Sequence, residues 1–392
     1  MGAASLTQTM EVQTQRIPAS FARHSEAAIF TVNERRILNL VRREGALSRA
    51  DLARRMDLTM QSVVRLVDGL LERGFVRAGE KVVRGVGQPS VPIMLVEKAA
   101  MTVGVSVMHD SLSVLLMTLS GEVLASRLLD LDTAAMQAVV GRLAIVIEEL
   151  VVEADAARSC LFGVGVSITG YFIDANRLNT PKAMDDWALR DLEADLSERL
   201  QLPVWLENDG NAGAVGENLY GVGSRFRSFA YIFVSTGLGG GLIQDGAPLR
   251  GAHGNAGEFT GLLPVDSRVS RPTLLFLLDL LRADGVPVET VGEMLARFDP
   301  QWPAIKTWLD LSEDALTAIV SSIAAVIDPE AIVIGGRLPT QLARLLAERA
   351  AFYRAPVRDR ERPFPSVIAA EAPGDAAALG AAAIPLQKHF FS

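Results

Sequence analysis

The feature that most limits how this chain can fold is a pair of short amphipathic segments within residues 48–76. The spacing of apolar residues predicts a helix over residues 49–56 and, after a short turn, a second helix over residues 59–73. Ser48 and Thr59 stand at the two helix starts, and both are residue types that cap helix N-termini. Two short helices joined in this way are typical of a helix-turn-helix, whose second helix enters the major groove of DNA.

The residues after Gly74 predict the wing of a winged helix-turn-helix domain. One wing strand is expected at residues 75–77 and the other at residues 91–96, around a glycine-rich loop with two cationic side chains. Such a loop can approach a phosphate backbone or a minor groove. The expected DNA contacts belong to the two helices and the wing: Ser48, Arg49, Thr59, Gln61, Ser62, Arg65, Lys81, Arg84 and Gln88.

Local charge distinguishes DNA binding from the alternative, an ordinary helical hairpin. Residues 33–84 contain twelve Lys or Arg and seven Asp or Glu, a net charge of +5, whereas the whole chain carries −8. A basic module on an acidic protein favours nucleic-acid binding.

Composition argues against several other classes of protein. The single cysteine, Cys160, excludes an internal disulfide and is expected to be a buried thiol in a strand. One cysteine and four histidines argue against a structural zinc site with several ligands. No apolar run approaches the ~20 residues of a membrane span, and the polar N-terminus lacks the apolar core of a signal peptide. A cytoplasmic location is therefore expected.

From Thr102 onward, strands alternate with helices in two similar halves, residues 102–220 and 228–390. This pattern predicts the duplicated α/β layout of an actin-like (ribonuclease-H-like) ATPase fold, with a ligand cleft between the lobes. The 392 residues thus divide into four expected parts. These are a flexible N-terminal arm (1–30), a winged helix-turn-helix domain (31–98), a first lobe (99–222) and a second lobe (223–392).

Four segments of the body resemble the ROK family of bacterial sugar kinases and repressors. They are LENDGNAGAVGENLYG (206–221), VSTGLGGGLIQDGAPLRGAHGNAGEF (234–259), DPEAIVIGG (328–336) and GDAAALGAA (374–382). Their combined order and spacing are specific, although each glycine run alone would be a weak signal. ROK repressors carry an N-terminal winged helix that their kinase relatives lack, so the resemblance implies a DNA-binding regulator.

The resemblance also implies a sugar site between the lobes. Asp209 holds the position of the base that takes a proton from the sugar in ROK kinases, but a carboxylate there also accepts a hydroxyl without catalysis. For His253 the alternative is a surface position, and Trp187 and Trp205 could stack on a sugar, although Trp205 is expected in the core. The candidate effector-binding residues are Gly170, Asn179, Asn208, Asp209, His253 and Glu258.

Departures from the family pattern argue against a kinase and against a metal. Ser106 stands where the first phosphate loop of the kinases has an acidic residue, so the carboxylate that organises Mg²⁺ is missing. Residues 109–111 stand near the glycine pair of that loop, where their side chains would block close approach of the backbone to phosphate. The glycine loop at residues 236–241 could cradle a phosphate, but a tight strand turn is the favoured interpretation. Gly261 replaces the histidine of the family zinc site, and all three of its cysteines are missing.

The leading hypothesis is a transcriptional regulator, most readily a repressor of carbohydrate uptake or catabolism genes, gated by a sugar-like effector. We expect a homodimer or tetramer on a pseudo-palindromic operator, without enzymatic activity, cofactor or metal. Two alternatives stay open: an active ROK sugar kinase that uses ATP, and a constitutive DNA-binding protein with a vestigial pocket.

Overall fold

The computed structural model describes residues 30–81, 90–354, 360 and 362–391. The N-terminal domain consists of α1 (Val32–Glu44), β1 (Leu47–Ser48), α2 (Arg49–Met56), α3 (Met60–Glu72), β2 (Val76–Ala78) and β3 (Pro92–Leu95). Its strands form an antiparallel sheet in the order β1-β3-β2. Ser48 and Thr59 cap α2 and α3 by accepting the backbone N–H groups of Asp51 and Ser62, as predicted. Residues 1–29 of the expected arm and the wing residues Arg84 and Gln88 lie outside the described residues, but Phe30, predicted as the last residue of the arm, is buried against Phe75 of the winged helix.

The first lobe is a five-stranded sheet in the order β10-β7-β4-β5-β6. Its elements are β4 (Met101–Val107), β5 (Ser111–Thr118), β6 (Val123–Asp130), α4 (Met136–Glu153), β7 (Leu161–Ile168), β8 (Tyr171–Phe172), β9 (Leu178–Asn179), α5 (Leu192–Leu200), β10 (Val204–Asn208) and α6 (Asp209–Tyr220). The strands of the β4–β5–β6 meander are antiparallel, whereas β7 and β10 run parallel to β4. Cys160 is half-buried at the residue before β7, so the prediction of a buried thiol inside a strand was wrong.

The second lobe repeats this design with the strand order β13-β12-β11-β14-β15. Its elements are β11 (Phe229–Val234), β12 (Leu238–Gln244), β13 (Ala247–Pro248), α7 (Leu274–Ala283), α8 (Val291–Ala296), α9 (Pro303–Val326), β14 (Ala331–Gly336), α10 (Thr340–Arg349) and β15 (Ser366–Ala369). The spacing of apolar residues predicts helices over residues 312–327 and 340–353, whereas α9 already begins at Pro303 and α10 ends at Arg349. Proline is favoured in the first turn of a helix, which explains the earlier start of α9 at Pro303.

The last helix, α11 (Ala376–His389), belongs in space to the first lobe, although the predicted division placed it in the second. The Thr102 hydroxyl on β4 donates to the carbonyl of Ala382 at 2.8 Å. A Cβ atom added to Gly165 on β7 would lie 1.8 Å from the carbonyl oxygen of Ala381. Glycine is therefore required there for the helix backbone to approach the sheet so closely.

The helices α6 and α11 also pack directly against each other. A Cβ atom added to Gly380 would lie 1.8 Å from the carbonyl oxygen of Ala212, and one added to Gly216 would lie 2.0 Å from that of Ala376. Because small residues face each other on both helices, their backbones are in contact and a shift of one helix must displace the other.

Candidate functional site

The predicted recognition helix α3 presents a mixed polar and apolar surface to solvent. Thr59, Gln61 and Arg65 are exposed along its N-terminal half, and Met60 stands among them with 48% of its surface accessible. The opposite face is buried by Val63, Val67 and Leu70, which fix the helix against the rest of the domain. Exposed amide, guanidinium and hydroxyl groups on one helix face are the groups that read base edges and grip phosphates.

Three other predicted DNA contacts already hold partners within the domain. Arg49 makes an ion pair of 2.7 Å with Asp68 on α3, which ties the two helices together. The Ser48 side chain is part of a capping box, and the Ser62 hydroxyl lies 2.9 Å from that of Thr59. Their contribution to DNA binding stays a prediction, as does that of Lys81, which is exposed.

The winged helix is attached to the body by a cluster of aromatic rings around Phe390. Its ring centroid lies 5.3 Å from that of Phe30 and 5.9 Å from that of Phe75, both in the winged helix, and 4.8 Å from that of Phe162 on β7. Phe162 in turn stacks on Trp205 of β10. One continuous apolar core therefore joins the winged helix, the end of α11 and the first sheet.

The candidate effector residues Asn208 and Asp209 lie where β10 passes into α6. The Asn208 side chain caps α6 by accepting the Asn211 N–H at 3.1 Å, and it donates to the carbonyl of Gly170 at 2.7 Å. Asp209 accepts the Thr169 hydroxyl at 2.7 Å, and burial raises the pKa of its carboxyl group. The structure thus brings Gly170, Asn208 and Asp209 together at one point, as the sequence predicted.

Glu258 lies near Asp209 because three glycines allow the intervening chains to touch. A Cβ atom added to Gly210 would lie 2.5 Å from the carbonyl oxygen of Gly240, and one added to Gly257 would lie 2.4 Å from the same atom. Glu258 is open to solvent on one side, yet desolvation by the surrounding protein and the charge of Asp209 raise its pKa to about 7. Two carboxyl groups with raised pKa values therefore face one small region, a frequent property of ligand sites.

The remaining candidates, Asn179 and His253, lie at different places. Asn179 pairs with Tyr171 in the β8–β9 hairpin and packs against Gly170, so it joins the group around Asp209. His253 is exposed and lines a neighbouring cavity of about 710 Å³ together with Arg250. His253 thus lies next to Gly254, whose carbonyl accepts the Asn211 amide at 3.1 Å, and its contact with an effector stays a prediction.

Sequence reasoning missed two contacts that hold these loops together. The Asn255 side chain accepts the Phe172 N–H at 2.7 Å and donates to the Phe172 carbonyl at 2.8 Å, which links the loop before Glu258 to the β8–β9 hairpin. Glu207, almost fully buried, makes an ion pair of 2.7 Å with Arg250. Both contacts join residues distant in sequence, and the only signal for them was their place inside the family motifs.

The β4–β5 hairpin occupies the position of the first phosphate loop of the kinases, and its turn contacts the second lobe. The β4–β5 turn carries Asp110, whose carboxylate makes an ion pair of 2.7 Å with Arg337 at the end of β14, and both side chains are about 85% buried. Met108 of the same turn is buried and receives the Ser235 hydroxyl at 3.6 Å. In the kinases, the backbone of this loop approaches phosphate. Here side-chain atoms and an internal ion pair fill the same position.

The glycine loop combines a tight turn with an open surface. The turn lies at Ser235–Gly237, and β12 begins directly at Leu238, as the favoured interpretation expected. Gly240 is needed for packing, because an added Cβ atom would lie 2.2 Å from the Tyr231 carbonyl oxygen, whereas Gly237 and Gly239 face open space.

The segment that replaces the family zinc cluster is held by its own contacts. The Thr260 hydroxyl donates to the Leu238 carbonyl at 2.6 Å, while Phe259 and Leu263 are buried. Among the described residues, His, Cys, Asp and Glu side chains form no group of three that could hold a metal ion.

The two tryptophans considered for sugar stacking are both buried. Trp187 donates its indole N–H to the Ala134 carbonyl at 2.7 Å, and Trp205 stacks on Phe162. No helix in the described part of the chain is long and apolar enough to cross a membrane.

Comparison with known proteins agrees with this architecture. The ROK family model matches residues 102–269, and a MarR family model matches residues 30–82. A Sinorhizobium fredii protein, uncharacterized protein y4fQ, is 30% identical over 370 residues, which cover 92% of either chain. The Bacillus subtilis xylose repressor is 28% identical over 240 residues, covering 60% of this chain and 61% of the repressor. The crystal structure of a ROK family transcriptional regulator, a homolog of the E. coli MLC protein, superposes with a TM-score of 0.67 at 22% identity, covering 92% of this chain and 97% of that one.

Proposed function

This chain belongs to the ROK family, and we propose that within it the protein is a repressor of carbohydrate uptake or catabolism genes. Its proposed effector is a sugar or sugar derivative in the cleft beside Asp209. The observation that carries this proposal is the continuous core around Phe390, which joins an exposed recognition helix to the lobe that holds the candidate ligand residues.

A mechanical connection between the two sites supports effector control. The helix α6 begins at Asp209 and ends at Tyr220. The Tyr220 hydroxyl donates to the carbonyl of Gly121 at 2.8 Å, and both residues line the cavity next to α1 of the winged helix. It also packs against α11, which ends in the Phe390 cluster. A ligand that binds one arrangement of the lobes better than another would shift both helices and thereby the winged helix.

Assembly as a homodimer or tetramer is part of the proposal. One recognition helix covers only a few base pairs, so a two-fold pair of winged helices would be needed for a selective, pseudo-palindromic operator. A change in spacing between the paired domains would then be the step that releases DNA.

The test is fluorescence anisotropy of the full chain with the promoter fragment beside its own gene, at fixed salt concentration, against a panel of sugars, sugar acids and amino sugars. We expect specific binding that one compound class weakens. Specific binding that no compound changes would favour a constitutive DNA-binding protein instead, and absence of specific binding would contradict the proposed function.

The second candidate function is an ATP-dependent sugar kinase. Asp209 holds the position of the family base, and Gly237 and Gly239 leave an open backbone surface. The ion pair between Asp110 and Arg337 disfavours this candidate, because it occupies the first phosphate-loop position. Phosphorylation of glucose or N-acetylglucosamine in a coupled ATP assay, lost in Asp209→Asn, would establish it.

A further inference from the structure

Three of the cavities lined by the described residues differ in how their cations are compensated. In the cavity of about 710 Å³ beside His253, Arg250 pairs with Glu207. In the cavity of about 790 Å³ between the lobes, the lining residue Arg337 pairs with Asp110. The third cavity, of about 550 Å³, lies between α1 of the winged helix and the body. Its lining includes three arginines: Arg42, Arg43 and Arg227.

The three arginines of this junction cavity make no ion pair with any described carboxylate. Asp245 is the single acidic residue among the described lining, and Arg227 meets its backbone carbonyl at 3.1 Å rather than its carboxylate. The junction cavity therefore carries an excess of positive charge that the other two cavities do not have.

Arg42 is the most buried of the three. It is half-buried, its guanidinium lies 4.7 Å from the ring centroid of Phe391, and one terminal nitrogen donates to Asn39 at 3.2 Å. Its Nε atom is fully buried and has no hydrogen-bond acceptor in the described structure. Stacking on Phe391 explains the position of the guanidinium face, but the ring supplies no acceptor for the N–H groups at the guanidinium edge. Because the Nε atom is closed to solvent, an anion in the cavity would meet the terminal N–H groups of Arg42 rather than Nε.

We propose that the junction cavity binds a small phosphorylated metabolite through these three arginines. The planar guanidinium fork matches phosphate oxygens, and a phosphate monoester carries a charge of about −1.5 to −2 that would offset the excess of cations. Arg42 and Arg43 belong to the winged helix, whereas Arg227 belongs to the body. A bound phosphate would therefore bridge the two and hold the winged helix in one orientation.

The regulatory consequence rests on the proposed function, but the binding site itself does not. We expect phosphate to change the affinity for operator DNA, because DNA binding selects among orientations of the winged helix that the anion constrains. Failure of wild-type operator binding both with and without phosphate would contradict the proposed function alone. Failure of phosphate binding would contradict the junction site alone.

The binding test is isothermal titration of the full chain with inorganic phosphate, with sodium chloride adjusted to equal ionic strength. Arg43→Gln and Arg227→Gln should each weaken phosphate binding about tenfold or more, the usual effect of losing one charged hydrogen-bond donor. Arg344→Gln is the matched control, since Arg344 is an exposed helical arginine outside the cavity. Asp209→Asn should also leave phosphate binding unchanged, which separates this site from the cleft between the lobes.

Titrations with glucose 6-phosphate and with glucose identify whether the cavity recognises the phosphate group or the sugar. Binding of the phosphorylated sugar that both arginine variants weaken, with glucose unaffected by them, would support the junction site. Absence of phosphate binding, or binding that neither variant changes, would overturn it. If the variants instead weaken binding to all DNA sequences equally while phosphate has no effect, the arginines contact the DNA backbone and the proposal is wrong.

Discussion

Replacing Phe390 by alanine should loosen the winged helix from the body without unfolding the body. The side chain is fully buried, and its ring touches two rings of the winged helix and one ring of the first sheet. Loss of a buried Phe side chain costs about 3–5 kcal/mol, to which each ring–ring contact contributes up to about 1.5 kcal/mol. Two of the three ring contacts cross to the winged helix. We therefore expect a large part of the lost free energy to appear as weaker docking of the winged helix on the body.

The consequence for dynamics follows from that magnitude. A loss of about 3 kcal/mol in docking free energy would raise the undocked population by roughly two orders of magnitude. Hydrogen exchange measured by mass spectrometry should then accelerate in α1 and around Phe75, while exchange in β11–β15 stays as in the wild type. DNA binding should persist, since the recognition helix is intact, but its response to effector should diminish.

The matched control is Phe229→Ala, which removes an equally buried ring from β11 of the second sheet. It should reduce the free energy of unfolding by a similar amount, with faster exchange in the second lobe and undiminished docking of the winged helix. If Phe390→Ala accelerates exchange evenly over the chain, or leaves α1 unchanged, the aromatic cluster is not the attachment that we infer.

Four further predictions address the sites. Arg65→Ala should weaken operator binding by about 1–3 kcal/mol if the guanidinium reads a base, and an unchanged anisotropy titration would show that α3 is not the recognition helix. Asp209→Asn should abolish the effector response while operator affinity stays as in the wild type; a retained response would remove this residue from the pocket. Because the pKa of Glu258 is raised to about 7 from its ordinary 4.5, the folded state retains a proton that the unfolded chain releases. The free energy of unfolding should therefore fall as pH rises from 4.5 to 7, and urea titrations of Glu258→Gln should show a smaller fall; an identical pH profile would refute this assignment. Asp110→Ala leaves Arg337 mostly buried and unpaired, so urea denaturation should show about 3–5 kcal/mol of lost stability, and a loss under 1 kcal/mol would mean that the pair is not buried in solution.

Local signals in the sequence account for the elements that were predicted well. The helices α2 and α3 and their caps depend on side chains within three or four residues of each other, so spacing and capping chemistry are visible in the sequence. The apolar run at residues 161–168 predicts a buried strand, and β7 has these ends, with all eight residues buried. The grouping of Gly170, Asn208 and Asp209 came from the family resemblance rather than from any local rule.

The helix α6 shows where local signals are insufficient. Its first turn contains Asp209, Gly210 and Asn211, residue types with low helix propensity, and the sequence did not predict a helix there. The helix forms because it is buried against α11 and β12, where glycine allows the backbones to touch. Tertiary packing therefore decided what propensity could not.

The sequence by itself determined that a basic winged helix precedes a duplicated α/β body, and which motif residues mark its cleft. The winged helix and the layout of the body depend on composition, periodicity and short-range capping, which act between neighbours in the chain, whereas the cleft residues came from the resemblance to the ROK family. Only the tertiary structure decided that α11 lies on the first sheet, that Phe390 attaches the winged helix, and that Asp110 meets Arg337. The last two residues are 227 positions apart. Such contacts depend on how whole elements pack and on which charges burial brings together, and no pattern along the chain records that.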